Sequence, residues 1–184
     1  MTTLRKVFAT MVIMSAVGVH NIQWREFVNT KSRYKISYPA SWYLFTNQLA
    51  PNPEILDILN FPPDERVQGV VLKPHGAEIT VSQAPTAIKT IDEWINEAGS
   101  KSYVEVRREE FSNIKRSTSG CVKVVRVTSE WDTESSGQWQ VITDTYCLTG
   151  RGLYDVSLIN WKGDPNQSNL QGVALKMTLS FKLY

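Results

Sequence analysis

Two strand-like segments that carry the cysteines of this chain constrain its fold most. Residues 121–131 and 138–148 are rich in Val, Ile, Thr, Tyr and Trp, the residue types that favour β-strands. Residues 132–137, which lie between them, have the composition of a turn. The pattern therefore predicts an antiparallel β-hairpin in the second half of the chain.

The same hairpin brings the two cysteines together. If its turn is centred on Glu134, Cys121 lies directly opposite Cys147. The same register pairs Val127 with Val141. Directly opposed residues at a non-hydrogen-bonded pair approach to disulfide distance, so a structural bridge is expected in an exported protein. Two free buried thiols or a metal pair are the alternatives, although two thiolates without nearby histidines make a poor metal site.

A third strand extends the hairpin. Residues 153–161 follow the tight turn 149–152, in a register that puts Tyr154 opposite Cys147. Val156 then lies on the same face as both. One apolar face across three strands predicts an antiparallel meander with its core on one side.

The N-terminus has the pattern of an export signal. Arg5 and Lys6 precede an uncharged apolar run over residues 8–19, which is too short to span a bilayer. Small residues in the spacing of a cleavage site favour a cut after Gly18. Residues 1–18 are therefore expected to be a signal peptide, with no retained anchor; a buried or surface N-terminal helix is the alternative.

The remaining residues, 19–184, are expected to form one domain. Removal of Arg5 and Lys6 leaves 18 basic and 18 acidic side chains. A neutral domain lacks the electrostatic footprint of a protein that binds nucleic acid or an anionic membrane. The expected location is periplasmic or extracellular, with membrane contact only through export.

Capping residues and the spacing of apolar residues predict two helices. Thr90 and Glu93 form a capping box at the start of a helix over residues 91–98. A second helix is expected to begin with Asp164 as N-cap and Pro165 in its first position. The apolar stripes expected to face the core are Ile91, Trp94, Ile95 and Ala98 in the first helix, and Leu170, Val173, Ala174 and Met177 in the second.

Four further segments complete the expected order of elements. Residues 67–72 and 77–82 have the composition of two strands joined by a turn, and residues 104–114 that of an edge strand. Residues 54–60, bracketed by prolines, are expected to form one helical turn in a surface loop.

A short stretch near the N-terminus, residues 34–42, reads YKISYPASW. Tyr34, Ile36 and Tyr38 alternate with polar residues, so a strand here presents apolar groups on one face. Pro39 ends the strand because it has no N–H to donate.

This motif and the order of elements resemble the PsbP-like family, which includes an extrinsic subunit of photosystem II and exported bacterial relatives. The family typically opens with a short strand followed by Tyr-Pro-x-x-Trp, here residues 38–42, and often closes with a helix followed by a Ser-Phe pair, here 180–181. The resemblance covers residues 25–184. It implies an α+β fold, an α/β/α sandwich with a central antiparallel sheet flanked by helices.

The resemblance also implies a non-enzymatic protein that assembles or stabilises larger complexes. Photosynthetic members are associated with manganese or calcium handling, but no motif allows a metal ligand or a photosystem contact to be carried over to this chain. A short bacterial type of export signal in place of a chloroplast transit sequence argues against a photosynthetic role. No cofactor is expected.

The two histidines offer little for catalysis. His20 lies at the expected new N-terminus, and His75 lies in a turn with no G-x-S-x-G nucleophile elbow elsewhere in the chain. His75 with Glu78 is the one candidate metal seed, which Asp57, Asp64 or Glu65 could join to bind manganese or zinc. The alternative is a solvated turn histidine and a strand carboxylate.

Two aromatic residues are candidates for partner binding. Tyr43 follows the YKISYPASW motif, and Trp131 lies at the end of the hairpin. An exposed aromatic side chain at a sheet edge is a typical hot spot of a protein interface. The leading hypothesis is therefore an exported non-catalytic domain that binds or stabilises an unidentified protein partner in the cell envelope. The alternative is a metal- or small-ligand-binding envelope protein that uses the His75 loop.

Overall fold

The computed structural model describes residues 22–46, 56–63, 75–98, 104–111, 119–133 and 138–184. The strands within these ranges are β1 (Trp24–Asn29), β2 (Tyr34–Pro39), β3 (Tyr43–Thr46), β4 (Leu56–Leu59), β5 (Ala77–Gln83), β6 (Val104–Phe111), β7 (Lys123–Thr133), β8 (Gln138–Leu148), β9 (Leu153–Trp161) and β10 (Lys182–Leu183). The helices there are α1 (Ile91–Ala98) and α2 (Gln167–Ser180).

The described strands form two antiparallel sheets. A seven-stranded sheet has the order β3-β4-β5-β9-β8-β7-β6, and a three-stranded sheet has the order β1-β2-β10. The sheet-dominated α+β fold that the sequence predicts is therefore present. Within the described ranges, neither helix is long and apolar enough to cross a membrane.

One face of the seven-stranded sheet, called the α2 face, carries Cys147, Tyr154 and Val156 and packs against α2. The helix contributes the buried stripe expected from its apolar spacing: Leu170, Val173, Ala174 and Met177. Hydrophobic burial is the main driving force of folding, so this layer between sheet and helix is the centre of the core.

Three aromatic rings join the α2 face to the three-stranded sheet. The ring centroid of Phe181 lies 4.9 Å from that of Tyr34 and 4.5 Å from that of Tyr154. The alternation of the YKISYP strand explains this packing, because Tyr34 and Ile36 both point into the core. The chain after Phe181 continues as β10 and pairs with β2, so the Ser-Phe pair connects α2 to the three-stranded sheet.

The opposite face, called the α1 face, carries Tyr146, Val125 and Val127 and packs against α1. The expected capping box starts this helix: Thr90 N donates to Glu93 Oε2 at 3.0 Å, and Glu93 N donates to Thr90 Oγ1 at 3.1 Å. Because α1 has only eight residues and α2 has 14, the helix layers on the two faces of the sheet are less equal than in the expected sandwich.

The β7–β8 hairpin has a different register from the expected one. Val124, and not Cys121, lies opposite Cys147, and Val127 lies opposite Asp144. The ladder extends to Thr133 and Gln138, so the turn is centred further along the chain than Glu134. The expected β8–β9 register is confirmed, since Tyr154 lies opposite Cys147.

The disulfide between Cys121 and Cys147 is nevertheless present, with a Cα–Cα distance of 5.3 Å. Cys121 precedes β7, and the chain there bends back: Val122 N donates to Leu148 O at 2.7 Å, and Gly120 N donates to Phe181 O at 2.5 Å. A Cβ atom on Gly120 would lie 3.1 Å from Phe181 O. Glycine therefore permits the close approach that places Cys121 beside its partner.

Two element assignments from the sequence are wrong. Residues 54–60 contain no helical turn in their described part, because Leu56–Leu59 form β4, a strand buried at all four positions. A short apolar run buried on both faces has no period that separates strand from helix. The second helix starts at Gln167 and not after Asp164, whose Oδ1 accepts from Asn166 N at 2.7 Å and so caps the preceding turn.

The remaining predictions fall in three groups. The expected edge strand over residues 104–114 is present as β6 at one end of the described sheet. The strand over 77–82 is present as β5. The signal peptide over 1–18 and the strand over 67–72 lie outside the described residues.

Candidate functional site

The first candidate surface lies at one end of the seven-stranded sheet. Strand β3 is the terminal strand of the described sheet, and its side chains alternate. Leu44 packs toward the core, whereas Tyr43 is 44% exposed and Phe45 is 40% exposed. Tyr43 and Phe45 are called the aromatic edge. Two exposed aromatic side chains two residues apart on a strand lie on the same face and form one surface.

The other end of the described sheet is highly charged, with Val104 and Val106 exposed among the charged side chains. Strand β6 carries ion pairs that include Arg107 with Glu109 at 2.8 Å, and it pairs with β7 through Arg126 with Glu109 at 2.7 Å. The register shifts between Glu105 and Arg107. Charged side chains and an irregular register discourage pairing with another chain. The aromatic edge has no such charged side chains on its own strand.

Trp131, the second aromatic candidate, lies elsewhere. It is half-buried in β7, opposite Gln140, and does not belong to the aromatic edge. Sequence reasoning missed Phe45, because the run from Trp42 to Phe45 is apolar throughout and does not reveal which residues face out. Partner binding by Tyr43 or Trp131 stays a prediction.

The candidate metal residues differ in their surroundings. The His75 side chain is 77% exposed, and its Nδ1 lies 3.9 Å from Asp164 Oδ2. Glu78 is buried in β5, opposite Leu59 and Ile159. The described residues contain no group of three His, Cys, Asp or Glu side chains placed to hold a metal ion.

Of the residues that were expected to join this seed, Asp57 is buried and accepts a hydrogen bond from Thr80 Oγ1 at 3.2 Å. Asp64 and Glu65 lie outside the described residues. Metal binding by His75 and Glu78 stays a prediction.

A buried acidic cluster lies on the α1 face. Ser157 Oγ donates to Asp144 Oδ1 at 2.6 Å, and the Tyr146 hydroxyl also donates to Asp144. Burial raises the pKa of Asp144. Burial, and then the charge of Asp144, raise the pKa of Asp155 well above its usual value, and burial raises the pKa of Tyr146.

The acidic cluster does not contain the parts of a hydrolase site among the described residues. The Ser157 hydroxyl donates directly to a carboxylate, whereas activation for attack needs a general base in hydrogen-bond reach and a third group to orient it. The one histidine of the described ranges, His75, contacts Asp164 instead. Because the pKa values of Asp144 and Asp155 are raised, the cluster is expected to make stability depend on pH.

Comparison with known proteins places the fold. The sequence matches no protein-family model and no curated protein. The structure is similar to the Ran-binding protein Mog1 of Saccharomyces cerevisiae, over 88% of this chain and 96% of that one, with 10% identity and a TM-score of 0.55. It is also similar to LpqN of Mycobacterium tuberculosis, a protein involved in cell envelope biogenesis, over 89% and 91% of the two chains, with 10% identity and a TM-score of 0.50.

A cyanobacterial PsbP from Synechocystis is also similar, over 94% of this chain and 99% of that one, with 13% identity and a TM-score of 0.47. At these identities the likeness to Mog1 and LpqN shows a shared fold. The sheet-dominated α+β architecture is the coarse part of the fold that the resemblance to the PsbP-like family implied.

Proposed function

We propose that this chain is an exported, non-catalytic domain that binds or stabilises a protein partner in the cell envelope, and that the partner docks on the aromatic edge. The exposure of Tyr43 and Phe45 on a terminal strand carries the proposal. Large aromatic side chains offer much contact area for little lost entropy, and truncating one at an interface centre typically costs about 2 kcal/mol or more.

The contrast between the two ends of the sheet supports this choice of surface. Charged residues protect β6, and Lys123 with Glu110 adds a further ion pair there at 3.5 Å. Strand β3 reads YLFT and has no charged residue. A surface that has to bind another protein cannot be protected in the way that β6 is.

Two observations support export. The N-terminal segment over residues 1–18 has the pattern of a signal peptide. The disulfide between Cys121 and Cys147 is of a kind that persists in oxidising compartments such as the periplasm. Among proteins of this fold, Mog1 binds Ran and LpqN is involved in cell envelope biogenesis, which supports a non-catalytic binding role. The proposal includes helices that flank the sheet as in a PsbP-like sandwich.

A photo-crosslinking experiment tests the docking surface. A photoreactive phenylalanine analogue replaces Tyr43 or Phe45 in the full chain, expressed in its source organism, and the control carries it at Val104, which is 58% exposed on β6. We expect one defined crosslinked protein from the aromatic edge and none from Val104. Crosslinks of equal yield at all three positions, or none from the aromatic edge, would contradict the proposal.

Export has its own test. Mass spectrometry of the protein recovered from the cell envelope is expected to show an N-terminus near residue 19 and an intact disulfide. Recovery of a full-length, reduced protein from the cytoplasm would contradict export. It would not affect the proposed docking surface, which the crosslinking experiment tests. A second candidate function, small-ligand binding beside His75, is favoured by a cavity of about 280 Å³ that His75 lines.

A further inference from the structure

A cavity of about 280 Å³ lies where five parts of the chain meet. These are the residues before β1, the turn after β2, the end of β4, the turn before β5 and the start of α2. Its lining residues are Ile22, Trp42, Asn60, His75, Asn166, Asn169, Leu170 and Val173. This volume is near the lower end of the range for small-molecule sites, about 300 Å³.

The cavity has an apolar side and a polar side. Trp42, Leu170 and Val173 supply an indole ring and two aliphatic side chains. Asn166 and Asn169, both exposed at the start of α2, supply carboxamide groups that can donate and accept hydrogen bonds. A ligand that fits must therefore present an apolar surface together with polar groups of both kinds.

Asn60 holds the polar side in place. Its Oδ1 accepts from Ala77 N at 2.7 Å, and its Nδ2 donates to His75 O at 3.4 Å. These contacts fix the turn that carries the His75 ring. His75 has φ 59°, a left-handed conformation that is uncommon for residues other than glycine and that concentrates at functional sites.

Behind His75 lies a buried carboxylate with one unused acceptor. The Asp164 side chain is 1% exposed, and its Oδ1 accepts from Asn166 N. Its Oδ2 has no hydrogen-bond donor among the described residues and lies 3.9 Å from His75 Nδ1, beyond hydrogen-bond distance. A buried acceptor left without a donor is unfavourable, so Asp164, beside the turn that carries His75, is not fully satisfied in its hydrogen bonds.

We propose that this cavity binds a small, neutral, hydroxyl-rich molecule with the size and shape of one sugar ring. The C–H face of the ring lies against Trp42, and its hydroxyl groups pair with Asn166, Asn169 and the exposed His75 imidazole. The described lining residues include no Lys or Arg, so among them an anionic ligand finds no basic counter-charge. A purely apolar ligand leaves the carboxamide groups without partners.

This inference is independent of the partner-binding proposal, because the cavity does not include the aromatic edge. NMR titration of the oxidised, exported protein with D-glucose, D-galactose, N-acetylglucosamine and myo-inositol tests it, with inorganic phosphate and ethanolamine as charged probes. We expect saturation transfer to the ring protons of at least one neutral probe and a shift of the Trp42 indole N–H. A shift caused only by phosphate or ethanolamine, or no shift with any probe at high millimolar concentration, would overturn it.

A matched pair of variants locates the site. Asn169→Ala removes a carboxamide from the cavity, whereas Asn96→Ala removes one from the exposed surface of α1. We expect the dissociation constant of the binding probe to rise about tenfold in Asn169→Ala and to stay unchanged in Asn96→Ala. An equal effect of the two substitutions would show that the probe does not bind in this cavity.

Discussion

The two faces of the seven-stranded sheet are covered with different chemistry. The α2 face packs a 14-residue helix, three aromatic rings and the disulfide-bonded cysteines into one apolar layer. The α1 face packs an eight-residue helix and also buries Tyr146 and Asp155 beside Asp144. Apolar burial stabilises at every pH, whereas a buried carboxyl group is tolerated best while it is protonated.

The difference separates two sources of stability. The α2 face carries the part that does not depend on proton concentration, and the α1 face carries a part that does. A substitution or reduction confined to one face is therefore expected to leave unchanged the contribution of the other face to stability and the pH dependence of that contribution. Two experiments test this separation and a third tests the cap of α1, beginning with the change of largest expected effect.

Reduction of the disulfide should cost the most. The bridge between Cys121 and Cys147 spans 26 residues, and closing a loop of this size in the unfolded chain stabilises the fold by about 3.5 kcal/mol. Urea unfolding with and without a reductant measures the loss, and a Cys121→Ala, Cys147→Ala double variant should show no further effect of reductant. The loss should be nearly the same at pH 5 and pH 7.5, and a strong dependence on pH would break the separation of the two faces.

Removal of the buried charge on the α1 face should change the pH dependence. The folded-state pKa of Asp155 is raised, so its contribution to stability is fully present below the unfolded value of about 3.8 and is lost as pH rises through the folded pKa. Asp155→Asn is therefore expected to be more stable than the wild type at pH 7.5 and to lose less stability between pH 4 and pH 7.5. Urea midpoints across this range give the comparison.

The matched control for this experiment is Glu97→Gln, which neutralises an exposed carboxylate on α1. It should keep the pH dependence of the wild type. If Asp155→Asn retains the full loss of stability with rising pH, Asp155 is not its source.

Removal of the cap of α1 should have the smallest effect. Thr90→Ala deletes the hydroxyl that accepts from Glu93 N, and loss of an N-cap hydroxyl costs about 1 kcal/mol. The midpoint of urea unfolding, followed by circular dichroism, measures this loss. Thr86→Ala, in the loop before α1, should leave the midpoint unchanged, and an equal loss in both variants would show that the cap has no special role.

Much of the fold follows from the sequence where local signals agree. The capping box at Thr90, the stripe from Leu170 to Met177 and the β8–β9 register all depend on contacts within a few residues or on one tight turn. The β7–β8 register does not, because six turn residues allow several centres and the pattern of alternation alone does not choose among them. Strand β4 was missed because burial on both faces removes the alternation that identifies a strand.

The candidate sites were harder to predict, since each depends on residues distant in sequence. His75 meets Asp164, and Trp42 lines a cavity with Asn169, only after the sheet and α2 have come together. The acidic cluster likewise joins Asp144 of β8 to Ser157 of β9 across the ladder. A single sequence gives the residue types of such sites but not their proximity.

The position of Phe181 affects the order in which the parts of the core can form. Its ring packs on Tyr34, and Ser37 N donates to Ser180 Oγ across 143 residues of sequence. Strands β1 and β2 therefore complete their core only with residues 180–181, far along the chain. Contacts of such long sequence separation form slowly because a long loop has to close first, so this part of the core is expected to form late in folding.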